Sequence, residues 1–192
     1  MMQARALFLD RDGVVNVDHG YVHDIQNFQF MDGIFDLVRA AVAEQYKIII
    51  ITNQAGIARG FYSEAQFEAL TIWMCEQFAS QGVSVDKVYF SPYHPTEGVG
   101  IYKKDDISRK PRPGMILQAK KEFNLDLAAS ILIGDKVTDI QAGIAAGVGQ
   151  NILFSSAEPE PEDLRGVDYQ KVSELAGALR FLAHSRVKQA TQ

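Results

Sequence analysis

The chain has 192 residues, 47% of them apolar and 22% charged, with a formal net charge of -5. That length suits one domain with a substantial core, and the acidic balance gives no global electrostatic case for a nucleic-acid or membrane partner. The single cysteine, Cys75, excludes an intrachain disulfide and fits a reducing compartment. No apolar run approaches the ~20 residues of a membrane span. The first residues carry no basic stretch followed by a long apolar one, so a cytoplasmic protein is expected.

In chain order, residues 5–9 read as a short buried strand ending at Asp10-Arg11-Asp12-Gly13. Ile34, Leu37, Val38, Ala41 and Val42 then keep the spacing of one helix face, predicting a helix over 33–45. The β-branched run Lys47–Thr52 predicts a second, fully buried strand. Ser63-Glu64-Ala65-Gln66 has the pattern of a capping box. It opens a helix with Phe67, Leu70, Met74 and Phe78 inward, which Gly82 can end.

Lys87–Ser91 predicts a third strand, and Pro113 begins a helix running to about Phe123. Ser130–Gly134 predicts a fourth strand, 136–147 a helix stopped by Gly147, and Asn151–Phe154 a fifth strand. After a polar connection over 157–163 comes a last helix over about 171–184, with Val172, Leu175, Leu179 and Leu182 inward. The alternation predicts an α/β fold: a Rossmann-like three-layer α/β/α sandwich with a mostly parallel sheet. The chain is expected to be one domain over 1–192, its core spanning about 5–184 and its tail over 186–192 frayed. Helices and strands fill the spacing between Asp12, Thr52 and Lys110, leaving no room for a separate cap domain.

Ligands of such sheets bind outside the carboxyl ends of the strands. Asp10, Thr52 and Asp135 all fall at such ends, and Lys110 lies in the basic loop Ser108–Gly114. Together they suit Mg²⁺-dependent phosphoryl transfer. A carboxylate approaching a phosphate monoester meets repulsion of about 4 kcal/mol per charge pair at 4 Å and an effective dielectric near 20, and a divalent cation offsets it. Mg²⁺ takes oxygen ligands, which Asp10 and Asp135 supply as carboxylates and Asp12 as a backbone carbonyl. Asp10 is the candidate nucleophile, and Asp12 the acid that protonates the leaving alkoxide and then the base that activates water. Thr52 and Lys110 would stabilise the phosphoryl oxygens. The cluster Lys103, Lys104, Arg109, Lys110 and Arg112 offers local positive charge to a phosphorylated small molecule.

Asp10-x-Asp12-Gly13, Thr52, Lys110 and Gly134-Asp135 resemble the motifs of the haloacid dehalogenase superfamily. The stretches Asp10–Tyr21, Thr52–Gly60, Arg109–Met115 and Gly134–Lys136 resemble its heptose-bisphosphate 7-phosphatases, and the longer loop motifs are shared with the histidinol-phosphate phosphatases. The resemblance implies an aspartyl-phosphate mechanism that removes the 7-phosphate of a heptose 1,7-bisphosphate, with catalytic Asp10, Asp12, Thr52 and Lys110. It implies Mg²⁺ at Asp10, Asp12 and Asp135. The substrate-binding residues it implies are Arg11, Asp18, His19, Gly20, Tyr21, Asn53, Gln54, Ala55, Arg109 and Lys136. A monomer acting on a small phosphorylated sugar follows by the same analogy.

One departure stands out. Members of this family commonly hold a loop with zinc through Cys and His, but the corresponding positions here are Ser91, Tyr93, Asp106 and Ser108. These are not a structural zinc set, so no zinc is expected, and the loop over about 95–108 must be held by other means. The alternative activity is histidinol-phosphate hydrolysis. A reading of another class is a phospho-accepting receiver module, although its acceptor typically lies on a central strand rather than beside an acidic pair on the first.

Overall fold

The computed structural model describes residues 3–156 and 162–184. β1 (Arg5–Leu9) is followed by α1 (Ile34–Ala43), β2 (Tyr46–Asn53), the short α2 (Ala55–Ala58) and α3 (Glu64–Ser80). Then come β3 (Lys87–Ser91), α4 (Gly114–Phe123), β4 (Ile131–Gly134), α5 (Val137–Ala146), β5 (Gln150–Phe154), β6 (Gln170–Val172) and α6 (Leu179–His184). The strands form a single sheet in the order β3-β2-β1-β4-β5-β6, every pairing parallel.

Strand alternation builds the layers. Leu7, Leu9, Ile48, Ile50, Ile131 and Ile133 face one side, packing against Leu37 and Val38 of α1 and Leu70 and Met74 of α3. Ala6, Phe8, Ile49, Ile51 and Leu132 face the other, against Met115 and Ile116 of α4 and Ile140 of α5. This is the three-layer sandwich expected, and among the described residues no second domain sits over the sheet. No helix among them is long and apolar enough to cross a membrane.

The helix boundaries follow their local chemistry. Ser63 and Gln66 form the reciprocal capping box, and α5 ends at Gly147 in a left-handed conformation. The segment read as one helix over 171–184 is corrected. Gln170–Val172 pairs with β5 as a sixth strand, a 3-10 turn follows at Leu175–Ala178, and α6 is only Leu179–His184. Leu179 and Val42 are not inward either; both are substantially exposed. The connection expected over 157–163 lies outside the described residues except at its end, where Glu162–Leu164 is a 3-10 turn. The tail over 186–192 also lies outside them.

The order has one functional consequence. From β1 the chain winds outward to β2 and β3, then crosses to β4 on the other side of β1. The crevice at a reversal of this kind opens above the carboxyl ends of the strands flanking it, here β1 and β4.

Candidate active site

Asp10 and Asp135 follow β1 and β4 directly, so the crevice receives a carboxylate from each side. The Asp10 amide still donates to Ile133 O at 3.0 Å, carrying the ladder one residue past the strand. The Lys110 ammonium is buried between acids. It donates to Asp10 Oδ1 at 2.7 Å and to Ile51 O at 3.0 Å, and it lies 2.6 Å from Asp139 Oδ1. Asp139 uses its other oxygen to accept from Lys136 N at 2.9 Å, closing the first turn of α5.

Charge here is finely opposed. Burial pushes the Asp10 carboxyl well above the usual carboxylate range, Lys110 acts against that, and the neighbouring Asp139 and Asp135 charges reinforce it. Asp135 is raised too, chiefly by burial. Burial works against the charge on Lys110, but Asp10 and Asp139 outweigh it and hold the ammonium above the usual lysine range.

Ligand atoms of Asp10, Asp135 and Asp139 lie within 4.8 Å of one another, and Asp135 Oδ1 is buried without a hydrogen-bond partner. An orphaned carboxylate oxygen in an oxygen-only cluster fits a hard divalent cation such as Mg²⁺. Gly13 makes the close approach possible. Its φ is +98°, and a Cβ there would fall 2.2 Å from Asp135 Oδ2.

Asp12 turns its carboxylate elsewhere. Oδ1 accepts from Arg11 at 2.7 Å and Asn16 at 3.1 Å, while Oδ2 accepts from Gln54 Nε2 at 3.0 Å. The Asp12 side chain is therefore outside the carboxylate cluster of Asp10, Asp135 and Asp139. The same Gln54 amide donates to Thr52 Oγ1 at 2.8 Å. Because that oxygen accepts from Gln54, the Thr52 hydroxyl keeps its own proton for a ligand.

Asp10, Asp12, Thr52, Gln54, Lys110 and Asp139 line a cavity of about 270 Å³ with Asp18, Gly20, Tyr21, Asn53, Ala55, Tyr62, Lys136 and Thr138, and Asp135 lies behind that lining. Three expected binding residues stand apart from that wall. Arg11 is corrected: it is 1% exposed, its guanidinium bonded to Asp12 and Val22 O and lying 5.7 Å from the Phe67 ring centre. The turn places residue 11 inward while its neighbours face the crevice. His19 is exposed and does not line the cavity. Arg109 is half-buried, donates to Tyr93 O at 3.1 Å, and is lowered below its usual range by burial and by Arg59 nearby.

Asn53 lines the cavity but also has structural work. It exchanges two hydrogen bonds of 3.0 Å with the Lys110 backbone, fixing the lysine loop to β2. Lys136 bonds Asp18 at 3.0 Å, joining the loop after β1 to the start of α5. Partial burial works to raise the Asp18 carboxyl, but the Gly20 amide and Lys136 outweigh it and hold it below the usual range. Sequence reasoning missed Asn16 and Tyr62; Asp139, one helical turn beyond Asp135, carried a signal in its spacing.

Three members of the basic cluster seen in the sequence are already paired with acids. Lys104 pairs with Asp106 at 2.6 Å, Arg112 with Asp105, and Lys110 is buried. The positions corresponding to zinc ligands make contacts of their own. Ser108 Oγ bonds Ser91 Oγ at 3.0 Å, Asp106 accepts from Ser108 N at 2.9 Å, and the Lys104 ammonium sits 5.0 Å from the centre of the Tyr93 ring.

Lys104 and the Ser108 amide hold the Asp106 carboxyl down at about 2. A depressed carboxylate stabilises above its unfolded value, and that stabilisation is lost as pH falls through the folded one. Wild type is therefore expected to melt on the order of 2 °C above Asp106→Asn at pH 5. The advantage should vanish towards pH 2, and thermal scans across that range check it.

A family model described as polynucleotide kinase 3 phosphatase matches residues 9–170. A D-glycero-alpha-D-manno-heptose-1,7-bisphosphate 7-phosphatase of Burkholderia mallei is 57% identical over 153 residues, covering 80% of this chain and 81% of the relative. A D-glycero-beta-D-manno-heptose-1,7-bisphosphate 7-phosphatase of Yersinia pestis is 49% identical over 154 residues, covering 80% and 82%. Among solved structures, the D,D-heptose 1,7-bisphosphate phosphatase of B. bronchiseptica complexed with magnesium and phosphate is similar at a TM-score of 0.76 and 26% identity, covering 97% of this chain and 99% of that one.

Proposed function

Since the chain belongs to the haloacid dehalogenase superfamily, and within it to the heptose-1,7-bisphosphate 7-phosphatases, we propose that it hydrolyses the 7-phosphate of D-glycero-D-manno-heptose 1,7-bisphosphate through an aspartyl phosphate. The observation that carries the reading is the Lys110 ammonium 2.7 Å from Asp10 and 2.6 Å from Asp139, in the crevice shared with Asp135.

Asp10 attacks phosphorus while Lys110 holds its carboxylate and supplies positive charge beside it. The Thr52 hydroxyl donates to a phosphoryl oxygen. Asp12 gives a proton to the departing sugar oxygen and then takes one from the water that cleaves the acyl phosphate. Asp10 and Asp135, with the Asp12 carbonyl, would hold the magnesium ion, which when bound would supply the positive charge that offsets repulsion between carboxylate and phosphate. Asp18, Gly20, Tyr21 and Lys136 form the wall that meets the sugar, and Arg109 stands beyond it for a distal group.

The family model's description refers to a polynucleotide phosphatase, but the net charge of -5 and the identity to sugar phosphatases favour the small substrate. On this reading the enzyme works as a cytoplasmic monomer without zinc. Size-exclusion chromatography with light scattering checks the monomer, and elemental analysis the zinc content.

The test is phosphate release from both anomers of the heptose bisphosphate, histidinol phosphate and a 3′-phosphorylated oligonucleotide. Fastest release from a heptose bisphosphate, leaving the 1-phosphate, is expected. Chelation should stop it and Mg²⁺ restore it. Faster turnover of histidinol phosphate, or a long-lived phosphoprotein after acetyl phosphate, overturns the proposal.

A further inference from the structure

Tyr62 belongs to no motif in the sequence, yet it closes the hydrogen-bond chain behind Asp12. It lies between α2 and α3, and its ring is fixed on several sides. A Cβ at Gly56 would come within 2.1 Å of its Cε1, so only glycine permits the approach. The His23 ring stacks on it with centroids 4.8 Å apart and planes 8° from parallel. Ile57 and Phe67 complete the buried cluster.

From that position the Tyr62 hydroxyl donates to Gln54 Oε1 at 2.5 Å. Burial pushes the phenol up to about 12, so it keeps its proton at neutral pH. Gln54 is 1% exposed. With its oxygen occupied by Tyr62, its amide must present Nε2 to the other side, where it meets Asp12 Oδ2 at 3.0 Å and Thr52 Oγ1 at 2.8 Å. A flipped amide would instead set its oxygen against the Asp12 carboxylate, acceptor against acceptor.

We infer that Tyr62 is a positioning residue: by fixing the orientation of the Gln54 amide, it aims the Asp12 carboxyl at the leaving-group oxygen. The inference rests on the proposed role of Asp12 as acid and base. As the P–O bond breaks, its electron pair goes to the sugar oxygen, which takes the proton from Asp12. Asp12, left as a carboxylate, is reprotonated by the water that attacks the acyl phosphate. A misaimed Asp12 should therefore harm poor leaving groups far more than good ones.

The experiment compares kcat/KM, which reports the first irreversible step, for the heptose bisphosphate and for 4-nitrophenyl phosphate. The nitrophenolate departs without a proton, so its kcat/KM depends little on an acid. In Tyr62→Phe, which keeps the ring, the ratio of sugar to aryl kcat/KM is expected to fall about tenfold or more. Both substrates meet the same enzyme sample, so the ratio is insensitive to the folded fraction. Gln54→Ala should give the same fall, and adding Tyr62→Phe to it should give no further one. Equal losses on both substrates, or additive losses in the double variant, overturn the inference. Wild-type protein that turns over neither substrate with Mg²⁺ overturns the phosphatase reading itself, a separate and recognisable result.

Discussion

Replacing Asp10 with asparagine is expected to abolish turnover, by a factor on the order of 10⁴ or more, while leaving the metal-free protein as stable as wild type or more so. An amide cannot form the acyl phosphate, so activity goes. Stability follows from the site's electrostatics. Asp10 is raised by burial and by Asp139 and Asp135, even with Lys110 beside it. A carboxyl raised on folding stabilises most below its unfolded value and loses that contribution as pH rises through the folded one. Near neutrality, asparagine removes a group whose ionised form the fold disfavours, while Asp139, 2.6 Å from the Lys110 ammonium, keeps that charge paired. Calorimetry in chelator should place the Asp10→Asn midpoint at or above wild type at pH 7 to 8, with the difference closing towards pH 4. Mg²⁺ should raise the wild-type midpoint more than that of the variant, which has lost a charged ligand. A variant that retains turnover removes Asp10 as nucleophile; one that unfolds more easily in chelator removes this account of the site's strain.

Much of this arrangement was legible wherever a local rule decided it. The run Leu7-Phe8-Leu9 before Asp10 could only be a buried strand, and Ile48–Ile51 likewise; both form the centre of the sheet. Ser63 with Gln66 announced the start of α3, and Gly147 the end of α5. Placing Asp10, Thr52 and Asp135 at strand ends was enough to bring their crevice together. What failed was decided by contacts distant in sequence. Val172, Leu175, Leu179 and Leu182 keep helical spacing, yet Val172 pairs with Phe154 on the sheet edge, and neighbours rather than periodicity chose its conformation. Arg11 is instructive in another way. The alternation that sets Asp10 and Asp12 on one side sets residue 11 on the other, so the residue pattern already argued against the pocket role that resemblance suggested. Tyr62 left no local trace, because its meaning depends on Gln54, Gly56 and His23 folding around it.

Replacing Lys110 with methionine should have the opposite signature, a large loss of both activity and stability. The lysine is 2% exposed and is the ammonium in contact with Asp10 and Asp139, with Asp135 close by. Removing one partner of a buried ion pair costs about 3–5 kcal/mol, because the other charge is left uncompensated. At about 2–4 °C per kcal/mol for a chain of this size, the metal-free midpoint should fall by about 6–20 °C. The pH dependence gives the cause away. Without Lys110 the carboxyls rise further, so the folded state binds more protons than the unfolded one and stability increases on acidification from pH 8 to 5. Mg²⁺ should return part of the lost stability by supplying positive charge to the same oxygens, but not the activity, which should stay down by on the order of 10²–10³. Arginine should not substitute, since its planar fork cannot reproduce contacts to Asp10, Asp139 and Ile51 O from a single nitrogen. A midpoint within a degree of wild type in chelator, or a deficit that grows on acidification, would show that the carboxylates do not depend on this lysine for their charge balance.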